Sequence, residues 1–267
     1  MTGTDRAVLM LRLAAPLQSW GGPSRYNLRE TRPEPTKSGV LGLLAAAEGR
    51  TREASLTDLV GLQLGVRVDQ PGTLLRDYHT SSDYRGLPLL SAKTNAKGQQ
   101  TRTTPPKYTS VTRRFYLQDA VFVAALRGPQ ALLKSLEQAV RNPVFPLSLG
   151  RRSCPPTGPV SLGLHADNRL EDALKGVPWQ ASSHRRRQTQ GATVSLEATV
   201  EDPAGDQSTV DVPDTYDLKT GTRFGRRTVR HLWIPVPTGR STQQDHPATD
   251  TDTTRQPDHD PFALLGW

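Results

Sequence analysis

The stretch Phe115–Arg141, FYLQDAVFVAALRGPQALLKSLEQAVR, holds the two periodicities that decide the fold. Its first half, Phe115–Leu126, is a run of apolar and aromatic residues that reads as one strong strand. Gly128–Pro129 breaks that run. Gln130–Arg141 then sets Leu132, Leu133, Leu136 and Val140 at helical spacing. Asn142–Pro143 ends the helix, and Val160–Leu164 supplies a further short strand.

The same order occurs upstream. Ala7–Ala15 (AVLMLRLAA) is apolar on both faces of a strand except at Arg12, and Pro16 ends it. Gln18–Pro23 (QSWGGP) is turn chemistry. Thr36 is positioned to cap a helix over Lys37–Glu48 (KSGVLGLLAAAE), which Gly49 stops. A short helix over Ser55–Gly61 leads into a strand over Leu62–Asp69. Two successive strand–helix–strand units predict an α+β sandwich of the ferredoxin-like type, a sheet with helices on one face.

Between the two units, Ser81–Arg113 is polar and rich in Thr, Gly, Lys and Arg, with almost no apolar periodicity. It is too long for an ordinary connection, which points to a functional excursion. Beyond Asp167 the pattern weakens. Thr193–Val200, Thr209–Val212 and Val229–Pro235 read as strands of a smaller sheet. Thr238–Asp260 has almost nothing to bury and reads as a disordered tail. Pro261–Trp267 (PFALLGW) is apolar again, in the manner of a docking peptide.

The chain has 267 residues, 34% hydrophobic, and a formal net charge of +8. Its pI is about 9.9 and its mean hydropathy −0.56. Such a balance suits a polyanionic partner. Seven of the 34 cationic side chains are Lys, so 27 are Arg, whose rigid fork pairs bidentately with phosphate. A genome rich in Arg codons produces the same excess. The one cysteine, Cys154, excludes an internal disulfide and a CxxC metal site. With no apolar run long enough to span a bilayer and no signal-peptide pattern at Met1–Asp5, the expected location is the cytoplasm.

Gly150–Pro156 (GRRSCPP) is the densest local signal. Arg151 and Arg152 sit in a backbone constrained by Gly150 and by Pro155–Pro156, which cannot donate main-chain hydrogen bonds. Such a loop presents Arg forks and amides to phosphates, although many basic turns are only solvated. Cys154 beside two arginines has the surroundings of an activated thiol, but no histidine is near in sequence. Thr36–Gly42 (TKSGVLG) opens a helix with Lys, Ser and Gly, chemistry that attracts anions. It lacks the GxxxxGK[ST] pattern of a nucleotide-hydrolysing loop. Arg76–Gly86 (RDYHTSSDYRG) interleaves Arg76, Tyr78, His79, Tyr84 and Arg85, a mixture able to stack bases and hold phosphates. Ser183–Arg187 and Arg223–Arg230 are charge clusters of the kind that mark solvated surface.

The ordered set LRLAAPLQSWG, PTKSGVLGLLAAAEG, LRDYHT, DYRG and LGRRSCPP resembles the CasD family, subunits of Cascade, the type I-E CRISPR surveillance complex. The resemblance covers roughly residues 8–165. It implies an RNA-recognition-like ferredoxin domain over 1–165 with a thumb hairpin inserted at about 81–113. A small β-rich part over 166–237 and a tail over 238–267 follow. It further implies a non-catalytic subunit that grips the 5′ handle of CRISPR RNA and caps the complex. Its implied neighbours are a backbone subunit, met through the thumb, and the large subunit. Neither cofactor nor metal is implied.

Carried over by motif, the RNA-binding set is Gln18 and Trp20 from the opening loop, and Lys37, Ser38 and Gly39 from the first helix. Arg76, Tyr78, His79 and Arg85 come from the thumb entry, and Gly150, Arg151, Arg152 and Ser153 from the later loop. A sister branch in type I-C systems cleaves precursor CRISPR RNA without metal through Tyr, Lys and His. No lysine adjoins any of the six histidines here, so a metal-independent endoribonuclease is the second reading. A generic RNA-binding scaffold is the third.

Overall fold

In a computed structural model, residues 6–21, 27–97, 99–166, 169–217 and 223–239 are described. Pro23 of the expected opening turn and residues 240–267 of the expected tail and docking peptide lie outside them. The elements run β1 (Arg6–Ala14), β2 (Leu17–Gln18), β3 (Leu28–Arg29), α1 (Lys37–Ala47), α2 (Thr57–Val60), β4 (Gln63–Gln70) and β5 (Thr73–Ser82). Then come β6 (Leu90–Thr94), β7 (Gln100–Arg102), β8 (Thr109–Gln118), β9 (Val121–Pro129), α3 (Gln130–Arg141) and β10 (Ser161–Ala166). The chain continues through α4 (Leu170–Gly176), α5 (Ser183–Gln188), β11 (Thr193–Glu201), β12 (Gln207–Thr215) and β13 (Arg223–Pro237).

The architecture is mixed α+β, built on an antiparallel seven-stranded sheet in the order β10-β1-β9-β4-β11-β13-β12. Strand β1 lies inside it and is buried on both faces. Arg12 alone in its interior is partly exposed, as its apolar run requires. Thr36 caps α1 by accepting from the Gly39 amide at 3.1 Å. Helix α3 buries Leu133, Leu136 and Val140 and turns its polar positions outward. Both helices pack on one face, over Leu9, Leu11, Leu64 and Phe122.

Four expectations are corrected. The run Phe115–Leu126 is two strands, because Asp119 adopts φ 55° and turns the chain from β8 into β9. The polar excursion Ser81–Arg113 carries regular strands. Strands β5 and β8 pair from Thr73↔Gln118 out to Ser82↔Thr109, and β6 and β7 form a small ribbon beyond them. The arm is largely exposed and mixes Thr, Ser and Arg with a few apolar residues, so no apolar period betrays it. The three late strands do not form a separate smaller sheet, since β11 pairs with β4 and extends the main one. Helices also cover both faces. On the second face, α4 and Trp179 bury Val8, Met10, Val123, Ala125 and Ile234. Thr238, expected in the tail, is anchored, its amide donating to Ala192 O at 2.9 Å.

Arg67 on β4 locks this second face. Its fully buried guanidinium pairs with Asp69, Nε to Oδ1 at 2.7 Å and Nη2 to Oδ2 at 2.8 Å. It also donates to the carbonyls of Leu174, Val177 and Pro178, which end α4. Breaking such a pair leaves a buried charge uncompensated, at a cost of roughly 3–5 kcal/mol. Asp69→Ala is therefore expected to lower the unfolding midpoint by about 6–20 °C in a thermal melt. An unchanged midpoint would remove Arg67 from this role.

Candidate nucleic-acid interface

The residues expected at the opening loop are interior. Gln18 is fully buried, donating to Leu13 O at 3.1 Å and Ala120 O at 2.7 Å while accepting from Trp20 Nε1 at 3.1 Å. Trp20 is equally buried and lies flat against Gly39, where an added Cβ would sit 2.8 Å from the indole. Neither side chain can stack on a base or reach a phosphate. They shape the start of α1 instead.

Lys37 is also withdrawn from solvent. Its ammonium sits 3.0 Å from both Glu201 carboxylate oxygens, and its amide donates to Asp211 Oδ2 at 2.8 Å. Arg227 joins the same network by a two-pronged contact with Asp211, at 2.7 and 2.9 Å. Its Nη1 is buried without a hydrogen bond, 3.9 Å from Glu201. The expected capture of an anion by the α1 amides and Lys37 does not fit these partners, because an aspartate already occupies the helix start. The sequence could not show this, as Glu201 and Asp211 arrive from β11 and β12. Ser38 and Gly39 remain half-exposed, and Tyr216 donates its hydroxyl to Ser38 O. Burial raises the Tyr216 phenol well above its ordinary value.

In the loop after α3, Gly150 adopts φ +88°, and a Cβ there would lie 1.6 Å from Ser19 O. Only glycine allows this crossing. The two arginines then divide. Arg151 stacks on Tyr116, 4.6 Å from the ring centre, and donates to Phe115 O at 2.9 Å and Arg29 O at 2.7 Å. It ties the loop to β8 and β3. Arg152 and Ser153 point outward, and Arg152 makes no ion pair or hydrogen bond among the described residues. Cys154 is buried, and that burial pushes its thiol up despite the opposing pull of Ser153 and Arg151. A raised thiol is a poor nucleophile at neutral pH.

Arg152 stands at the rim of a cleft of about 530 Å³ between α1 and the loop 145–152. Its floor is the small-residue face of α1, namely Gly39, Gly42 and Ala46. Phe145 and Tyr216 line its walls. Arg50 and Arg52 complete the rim. Arg50 is held by Glu48 at 2.7 Å and by both Asp58 oxygens, a contact that lowers the Asp58 carboxyl below its usual range. Arg52, like Arg152, has no partner among the described residues. The sequence reading missed Arg52, Phe145 and Tyr216, which sit in turns without a motif.

The β5–β8 arm presents a second basic and aromatic surface. Arg76 and Tyr78 share one face with Phe115 and Arg113, which lie directly across. Tyr78 is 65% exposed. His79 turns to the other face, half-buried, opposite Thr112. Arg85 near the tip stacks on Tyr84 and pairs with Asp83, whose carboxyl it pulls down to about 2.

Exposed cations over a small-residue cleft and along a protruding arm have the chemistry of a polyanion-binding module. The chain belongs to the CRISPR-associated protein family Cas5, whose family model matches residues 8–237. It is 40% identical over 172 residues to the CRISPR system Cascade subunit CasD of Escherichia coli strain K12, covering 59% of this chain and 71% of that one. A solved structure titled as a CRISPR RNA-guided surveillance complex superposes with a TM-score of 0.69 at 33% identity, covering 86% of this chain and 91% of the other. A crystal structure of a Cas protein superposes with a TM-score of 0.63 at 36% identity, covering 87% and 98%.

Glu34 gives a check on the electrostatics beside α1. Burial is the largest influence on its carboxyl and raises it, outweighing the hydrogen bond from Thr199 and the nearby His231 and Arg227. A raised carboxyl opposes folding once both states ionise, and that penalty vanishes below the unfolded value of about 4.5. Glu34→Gln is therefore expected to stabilise the chain at pH 7, with the gain shrinking to nothing as pH falls through 4.5, in urea titrations across that range. A gain that persists in acid would contradict this.

Proposed function

We propose that this chain is a non-catalytic subunit of a Cascade-type CRISPR surveillance complex that binds the 5′ handle of CRISPR RNA and caps the backbone of the complex in the cytoplasm. The observation that carries the reading is the cleft between α1 and the loop 145–152, lined by Arg52 and Arg152, which are unpaired among the described residues. Guanidinium pairs on a narrow cleft suit consecutive phosphates, while Phe145 offers a base a flat surface. Ser38 and Ser148 add hydroxyls to its lining, and Ser153 follows Arg152 in the exposed part of the loop. In this reading Gln18, Trp20, Lys37, Gly39, Gly150 and Arg151 shape the cleft rather than touch RNA.

The same reading treats β10-β1-β9-β4, with α1 and α3 on one face, as a ferredoxin-like unit of 1–165. The order of those strands supports it, since the chain visits them as first, second, third and fourth in the spatial order 4-1-3-2. The β5–β8 arm is then the thumb, carrying Arg76, Tyr78 and Arg85 towards RNA and the neighbouring backbone subunit. Residues 166–237 form the part beside which the large subunit docks.

A binding role agrees with the chemistry of the histidine on the arm. A metal-free ribonuclease needs a positioned base near the 2′-hydroxyl. His79 lies on the face of the arm away from Arg76 and Tyr78, and no lysine neighbours it in sequence.

Charge reversal at Arg52 and Arg152 together is expected to weaken binding to an RNA bearing the repeat-derived handle by tenfold or more. The melting temperature should stay within a degree or two, since both side chains are exposed. The slope of log affinity against log salt should fall by roughly 1.4, as two phosphate contacts are lost from a single strand. Wild-type affinity for the handle should exceed that for a random RNA of equal length at raised salt. Unchanged handle binding would sink the assignment, and metal-independent cutting of precursor RNA that His79→Ala abolishes would favour the nuclease.

A further inference from the structure

The outer half of β13 carries a surface that the proposed RNA role leaves unused. Strand β12 pairs with β13 only from Arg223 to Val229, so, among the described residues, 230–237 pair with β11 alone and leave their other edge free. Pro235 and Pro237 lie on that stretch and cannot donate from it, which disfavours addition of another strand. One face of the pair is closed, with Leu196, Ala198, Ile234 and Val236 buried. The other lies open. Trp233, opposite Glu197, is 68% exposed, and Pro235 and Pro237, opposite Ser195 and Thr193, are exposed beside it. An indole and two prolines in line make an apolar strip about 13 Å long at the usual strand rise.

From the geometry we infer that this strip is the docking site of this chain's own segment Pro261–Trp267, PFALLGW. Three observations select that occupant. Strand β13 itself leads to it, because the described chain leaves the strip at Gly239, two residues past Pro237. The intervening stretch 240–260 has only Ala248, Pro247 and Pro257 as apolar side chains, whereas 261–267 supplies Phe262, Leu264, Leu265 and Trp267. The Cas5 family model ends at residue 237, so both the segment and its tether lie beyond the part matched to the family.

Reach and strength are adequate. A polar tether of about twenty residues has, as a coil, a root-mean-square span of roughly 25 Å, about twice the strip's length. Tethering at that range sets an effective concentration on the order of millimolar, so even a weak apolar contact is populated. The segment covers a surface that would otherwise invite association with other proteins.

Hydrogen–deuterium exchange on the full-length chain tests this directly. Leu264→Asp with Leu265→Asp should speed exchange across residues 231–237 several-fold. Trp233→Ala, at an exposed position that the fold tolerates, should in turn speed exchange within 261–267. Protection in the wild type should not change with protein concentration. If both variants exchange as the wild type does, the docking is wrong. Protection that grows with concentration would assign the strip to a second copy, and protection seen only in the assembled complex would assign it to another subunit. Either outcome overturns the inference.

Discussion

Three buried charged groups and the partly buried Glu201, beside the start of α1, hold the two halves of the chain together. Lys37 comes from the first helix, Glu201 from β11, Asp211 from β12 and Arg227 from β13. Charges withdrawn from water persist only when paired, so the helix cannot leave the late strands without exposing or orphaning one of them. The Leu64 amide adds a contact from β4 to Glu201 at 3.2 Å. This node fixes where α1 lies on the sheet, and α1 is the floor of the cleft.

The cleft inherits its shape from two close approaches. Trp20 against Gly39 sets the height of the helix start, and Gly150 against Ser19 brings the later loop across it. Arg151 then spends its whole guanidinium on Tyr116, Phe115 and Arg29. Its neighbour Arg152 is thereby turned outward, towards the cleft. A pair of adjacent arginines that looks uniform in sequence is split by packing into a positioning residue and a free cation.

Much of the first half was legible in the sequence, because strand β1 is a continuous apolar run, helix α1 opens on the Thr36 cap, and helix α3 spaces its buried residues at the helical period. The family resemblance in the motifs agrees with the family match. The arm was less legible, since an exposed hairpin has no buried face to impose alternation on its residues. The join between β11 and β4 was invisible, as pairing across more than a hundred residues leaves no local mark. The expected contact residues divide by burial, with Gln18, Trp20 and Lys37 interior and Tyr78, Arg85 and Arg152 exposed. Trp20, Gln18 and Lys37 had the chemistry of ligand contacts, but Gly39 packs on the indole, the Ala120 carbonyl takes the Gln18 amide and Glu201 takes the Lys37 ammonium. Arg52 and Phe145 lie in turns, where nothing in the spacing distinguishes a cleft rim from ordinary surface.

The proposed path of the RNA runs through the cleft between α1 and the loop 145–152. Ultraviolet cross-linking of the chain purified with its bound RNA, read by mass spectrometry, tests it most directly. The account predicts adducts of handle nucleotides within residues 50–52 and 145–153, with a second set at Arg76 and Tyr78. Handle adducts confined to other surfaces, with those two stretches unmodified, would contradict it.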